Sequence, residues 1–105
     1  IFTSDRKKNA LKALGDNKID NFFSYVIGGD NVKFQKPNPE GIYKACDYVN
    51  IRPLETAYIS DTSSDLDMAR SAKVGMKIGV TTGLDDKSQL KNISDITVKN
   101  LTELI

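Results

Sequence analysis

The stretch AYISDTSSDLDMARSA, residues 57–72, holds the main fold signal of this chain. Ala57-Tyr58-Ile59 is a short apolar run of strand-forming character. Ser60 to Ser64 then supply small hydroxyl residues and one acid. Leu66, Met68, Ala69 and Ala72 follow at helical spacing. A strand that leads at once into a helix is the first half of a βαβ unit. Three carboxylates, Asp61, Asp65 and Asp67, sit within seven residues of that junction. They can cap and solvate a helix, because acids in a first turn are favoured by the helix dipole. Some of them can also hold a cation.

Working outward, the same alternation recurs. Ser4 or Asp5 can cap a helix over about Arg6 to Leu14, which Gly15 can close. Ile19, Phe22 and Phe23 read as a short packed segment, and Tyr25 to Ile27 as a strand ended by Gly28-Gly29. Pro37 and Pro39 stiffen a loop over 31–38. A helix is expected from Glu40 to Asn50, a strand from Thr56 to Ile59 and a helix from Ser63 to Lys73. Met76 to Val80 is a further strand, followed by the Thr81-Thr82-Gly83 loop. A short helix near Lys87 to Leu90, a strand at Ile96 to Val98 and a turn at Leu101 to Leu104 complete the pattern. The strands are apolar without strict alternation, as in parallel sheets covered on both faces. The fold class is therefore α/β, a three-layer doubly wound parallel sheet with right-handed crossovers. The 105 residues are expected to form a single domain.

Composition removes several function classes. With no His, Ser-His-Asp and Cys-His catalysis and His metal sites are out. Cys46, the one cysteine, cannot form an internal disulfide, lies in a helical pattern and is expected to be a small buried thiol in a reducing, cytoplasmic setting. Fifteen Lys and Arg against fourteen Asp and Glu leave a net charge of +1, short of a nucleic-acid footprint. No apolar run is long enough to span a membrane, so neither nucleic acid nor membrane is an expected partner. The chain opens on Ile1-Phe2-Thr3, which reads as the tail of a strand and leads to the expectation of a fragment or processed product.

In doubly wound sheets, ligands sit beyond the carboxyl ends of the strands. That rule selects Thr3-Ser4, Gly28 to Asp30, Ser60-Asp61 and Thr81 to Gly83. Asp61 is the first residue after a strand, and Asp65 lies one helical turn on, so the two can approach one spot. Hard cations such as Mg²⁺ take carboxylate oxygens together with water and phosphate. Asp67 points another way round the helix and is expected on its surface. Lys36, held before Pro37 and Pro39, can counter a phosphate or crowded carboxylates as a point charge, or be one more solvated lysine. Thr3 and Ser4, where a strand meets a helix start, offer hydroxyls and free N–H groups to an anion or a simple cap.

Thr3-Ser4, then Lys36-Pro37-Asn38-Pro39-Glu40, then Ser60-Asp61-Thr62-Ser63-Ser64-Asp65, then Val80-Thr81-Thr82-Gly83, in this order, resemble the C-terminal part of a haloacid dehalogenase superfamily hydrolase. The branch resembled is that of phosphoglycolate phosphatase and β-phosphoglucomutase. The resemblance implies that Thr3 binds the transferring phosphoryl group, with Ser4 beside it. It implies that Lys36 stabilises the nucleophile and phosphoryl charge, that Asp61 is a Mg²⁺ ligand and that Asp65 supports the metal shell. Ser60 stands where the family more often has Gly.

The family's nucleophile and its general acid and base form an Asp-x-Asp motif on the central strand. Neither that motif nor the cap domain matches any segment of these 105 residues. The resemblance therefore implies the back half of a Rossmannoid core, without its central strand, that needs a missing N-terminal segment or another chain to complete the sheet. Alone, the 105 residues are expected not to fold stably, because unpaired sheet edges aggregate.

The implied function is Mg²⁺-dependent hydrolysis of a small phosphorylated metabolite through an aspartyl-phosphate. A β-phosphoglucomutase-like phosphotransferase and a non-catalytic phosphate- or partner-binding domain are the alternatives. A receiver-type signalling domain also uses acids and a lysine, but places its acid pair early and its lysine late, opposite to the order here.

Overall fold

The computed structural model describes all of residues 1–105. The chain divides into two compact units, Ile1–Asn50 and Ile51–Ile105, and each is described by itself.

The first unit contains two helices, α1 (Lys7–Asp16) and α2 (Glu40–Val49). The expected strand at Tyr25 to Ile27 shrinks to a single parallel bridge between Phe2 and Ile27. Two backbone bonds build it: Thr3 N–H donates to Ile27 O at 2.9 Å, and Ile27 N–H to Ile1 O at 2.8 Å. The chain bends at Ser4-Asp5 directly afterwards, so no longer ladder can form. Helix α1 lacks the local side-chain cap expected from Ser4 or Asp5: its N-cap is Arg6, in extended conformation. The carboxylate of Asp30 takes the Lys7 N–H at 2.8 Å instead, while Asp5 binds Arg6 N–H and Asn9 Nδ2. Gly15 lies inside the helix, and Lys18 (φ 57°) takes the left-handed turn expected of glycine. Helix α2 buries Gly41, Ile42 and Cys46, and ends on left-handed Asn50. Val49, near the end of this helix, is exposed. Cys46 is a buried thiol outside any disulfide, as its helical position predicts.

The second unit is a βαβαβ run: β1 (Ala57–Ser60), α3 (Ser63–Ser71), β2 (Met76–Val80), α4 (Lys87–Ile93) and β3 (Ile96–Val98). All pairs are parallel, in the order β1-β2-β3, with Ile59 opposite Ile78 and Ile78 opposite Ile96. Crossovers of one hand in sequential strand order place α3 and α4 on the same sheet face, and the two helices touch. Gly79 lets α4 approach closely: a Cβ there would stand 3.2 Å from Leu90 Cβ. Leu66, Ala69 and Leu90 are fully buried, and Met68, Ala72, Ile78 and Val98 nearly so. Leu66 and Ala69 are one turn apart, the spacing that builds a core-facing stripe. Parallel α/β winding is thus present as expected, with β1 at one edge of this sheet. No helix is long and apolar enough to cross a membrane.

Candidate active site

Asp61 leaves the carboxyl end of β1, where a parallel sheet presents its ligands. Its Oδ2 accepts the Leu84 N–H at 3.1 Å, and its carbonyl oxygen accepts the Asp85 N–H at 3.2 Å. The loop after β2 therefore lies directly against Asp61. Gly83 makes this contact possible: a Cβ there would fall 2.1 Å from Asp61 Cβ and 2.2 Å from its Oδ2. A carboxylate accepts on both oxygens, so the Leu84 bond orients Asp61 without exhausting it.

Asp65 lies in the first turn of α3. Ser60 Oγ donates to Asp65 Oδ2 at 3.2 Å, and Asp65 N–H donates to Oγ1 of Thr62, the N-cap, at 3.4 Å. Ser60, the residue that departs from the family's usual Gly, thus gives Asp65 a hydroxyl partner. Burial, reinforced by the charge of Asp65, pushes the Tyr58 hydroxyl far above its ordinary pKa. Asp67 pairs with Arg70 on the exposed side of α3, the surface role expected for it.

No cluster of three or more His, Cys, Asp or Glu side chains forms a ready-made metal cage. Two partly buried carboxylates at a strand end and a helix start suit a hard divalent cation that keeps waters and takes phosphate oxygens. The donor chemistry of Asp61 and Asp65 therefore fits Mg²⁺.

In the first unit, Thr3 Oγ1 accepts the Asp5 N–H at 3.2 Å, and Ser4 is exposed at the bend. The Lys36 ammonium lies 4.8 Å from the centre of the Phe2 ring, so Lys36 is drawn toward the residue next to Thr3. The Lys36–Pro37 peptide is cis. Glu40 closes the loop that carries Lys36. Its two oxygens accept the N–H groups of Lys33 (2.9 Å) and Phe34 (2.8 Å), and its own N–H donates to Asn38 Oδ1 at 3.0 Å. The Lys33 and Phe34 bonds hold the Glu40 carboxyl below its ordinary pKa.

Asp85 was not among the expected site residues. Its Oδ2 accepts both the backbone N–H (2.6 Å) and the hydroxyl (2.5 Å) of Ser63, at the start of α3. The Ser63 hydroxyl, and then its N–H, hold the Asp85 carboxyl below the ordinary range. A sequence signal for it exists. Asp86-Lys87-Ser88-Gln89 has the spacing of a capping box, and Asp86 does take Gln89 N–H at 2.9 Å. With Asp86 assigned to α4, Asp85 remains as an acid without a local task.

The family profile described as haloacid dehalogenase-like hydrolase matches residues 1–80. The chain belongs to this family. Over 104 residues it is 34% identical to a phosphoglycolate phosphatase of Chromobacterium violaceum, covering 99% of this chain and 46% of that protein. Among solved structures, a haloacid dehalogenase-like hydrolase from Bacteroides fragilis superposes with a TM-score of 0.92 at 31% identity, over 100% of this chain and 50% of that one. A protein assigned as a β-phosphoglucomutase from Thermotoga maritima superposes with a TM-score of 0.83 at 29% identity, over 93% and 46%. The fold is that of the haloacid dehalogenase-like Rossmannoid core. The chain spans about half the length, or less, of the curated relatives it matches: 30%, 46% and 49% of three of them.

Proposed function

We propose that this haloacid dehalogenase-like chain is the supporting half of a Mg²⁺-dependent phosphatase for a small phosphorylated metabolite. The single observation that carries the reading is Asp61, aimed from the carboxyl end of β1 and oriented by the Leu84 N–H. In this reading the nucleophilic aspartate comes from sequence outside these 105 residues. It attacks phosphorus, the ester oxygen leaves, and water then cleaves the aspartyl-phosphate. Asp61 and Asp65 would hold Mg²⁺, which when bound would neutralise phosphoryl charge. Lys36 offsets the charge that develops on the phosphoryl oxygens, and Thr3 with Ser4 binds them through hydroxyl and N–H groups. The unpaired edge of β1 agrees with a sheet completed by further chain. A reducing, cytoplasmic setting goes with the reading, and the buried Cys46, outside any disulfide, is compatible with it.

A phosphomutase is the second reading, favoured by the likeness to the protein assigned as a β-phosphoglucomutase. One experiment separates the two. The natural full-length protein is assayed with Mg²⁺ on phosphoglycolate, sugar phosphates and β-glucose 1-phosphate, following both inorganic phosphate and isomerised sugar phosphate. Release of phosphate, abolished in Asp61→Ala and lowered about 10²- to 10³-fold in Lys36→Ala, supports the phosphatase. Isomerisation without net release supports the mutase. Undiminished turnover in Asp61→Ala refutes the metal-ligand role.

A further inference from the structure

Asp61 is the residue on which the proposed chemistry rests, yet nothing in its own segment fixes its carboxylate. Ser60 Oγ bonds Asp65, and Thr62 caps α3. The groups that reach Asp61 come from more than twenty residues away: Leu84 N–H on Oδ2 and Asp85 N–H on the carbonyl. Gly83 comes so close that a Cβ would overlap Asp61 Cβ, Cγ and Oδ2, at 2.1 to 2.5 Å. Because Asp61 Cβ is one bond from the backbone, a rotamer change cannot relieve that overlap.

The loop needs an anchor to bring its N–H groups to this position, and Asp85 is that anchor. Both donors of Ser63 converge on one Asp85 oxygen. Ser63 is the second residue after Asp61, so the anchor and the oriented group share one short stretch of chain. Asp86, the next residue, is occupied elsewhere as the cap of α4. The two adjacent acids thus tie the loop to two different helices, and of their two side chains it is that of Asp85 that ties it to the Asp61 segment.

We propose that Asp85 and Gly83 are positioning residues for Asp61: Asp85 pins the post-β2 loop to the start of α3, and Gly83 lets that loop lie on the Asp61 carboxylate and set its direction. The inference rests on Asp61 being the Mg²⁺ ligand. Partners that orient a ligating group typically change metal affinity about 10- to 100-fold when removed.

Calorimetric titration of Mg²⁺ alone into the metal-free, natural full-length protein tests it, independently of turnover. Asp61→Asn is the reference that removes the ligand. Gly83→Ala and Asp85→Ala are expected to weaken Mg²⁺ binding about tenfold or more. Asp85→Asn keeps an oxygen acceptor for Ser63 and is expected to recover most of the loss. Asp86→Ala loses a helix cap of the same kind and is expected to bind Mg²⁺ as the parent does, which separates positioning from general loop stability. If Asp61→Asn loses Mg²⁺ while Gly83→Ala and Asp85→Ala bind normally, the ligand role stands and the positioning role is overturned. If Asp86→Ala is as damaging as Asp85→Ala, the positioning role is likewise overturned. If Asp61→Asn binds Mg²⁺ normally, the ligand role itself fails and the inference falls with it. Should Gly83→Ala not fold, the contrast among Asp85→Ala, Asp85→Asn and Asp86→Ala decides.

Discussion

Gly41→Ala and Gly15→Ala are chemically identical changes, each one residue inside a helix end, Gly41 at the start of α2 and Gly15 at the end of α1, and they are expected to act in opposite directions. In a helix Ala is favoured over Gly by about 0.5–1 kcal/mol in the absence of other contacts. At Gly15 a Cβ meets nothing within 4 Å, so a gain of about 0.5 kcal/mol is expected near the helix end. At Gly41 a Cβ would stand 2.4 Å from Phe2 Cζ and 2.6 Å from both Cε atoms. Carbon atoms prefer about 3.5–4.0 Å, so the ring would have to retreat by about 1 Å. It cannot do so freely, because the Phe2 backbone is held in its bridge to Ile27. Overpacking of this kind costs about 1–3 kcal/mol, which against a propensity gain of about 0.5 kcal/mol near a helix end leaves a net loss of roughly 0.5–2.5 kcal/mol. The ring also carries the Lys36 ammonium, so its displacement should lower kcat if Lys36 serves the reaction. Urea unfolding and steady-state kinetics on the full-length protein measure both effects. Adding Phe2→Leu to Gly41→Ala should recover part of the lost stability, a coupling that a double-mutant cycle resolves. Gly41→Ala as stable as the parent, with unchanged kcat, would refute the packing argument.

Leu66→Ala should cost about 3–5 kcal/mol, because Leu66 is fully buried and its loss leaves a cavity; Leu54→Ala, at a site 67% exposed, should be near neutral in the same denaturant titration. Glu40 predicts a pH dependence with a defined sign. Its carboxyl lies below the ordinary glutamate value of 4.5 through the Lys33 and Phe34 N–H bonds. Its contribution is therefore complete above 4.5 and is lost as pH falls through its folded pKa. Thermal melts of Glu40→Gln against the parent should diverge at neutral pH and converge in acid; a constant gap would show that the clamp is not electrostatic.

Local patterns made the second unit legible. β1, α3, β2 and β3 stand within a residue or two of their expected limits, because each apolar run is bounded by a cap or a turn of its own. The position of Asp61 followed from strand polarity alone. What escaped was non-local. The cap of α1 comes from Asp30, twenty-three residues away, and the clamp on Ser63 comes from Asp85, twenty-two residues away. Local spacing cannot announce such pairs, although the capping box at Asp86 left Asp85 conspicuous by elimination. The strand expected at Tyr25 to Ile27 failed for a related reason. Val26 and Ile27 are buried, but a strand also needs a neighbour that stays parallel, and the partner segment bends away after Thr3.

The same non-local logic governs how the candidate groups are held. The carboxylates of Asp85 and Glu40 each accept two donors, and a backbone N–H orients Asp61. Donors fixed in a loop backbone do not have to be ordered again when a ligand arrives, unlike flexible side chains, which lose rotamer freedom on binding. In the proposed reading, an acid held in this way would be ready for a cation, with its direction set by the path of a distant loop. Mutations in 83–85 should therefore act on Asp61 more strongly than substitutions nearer to it in sequence, such as at exposed Ser64 or Asp67.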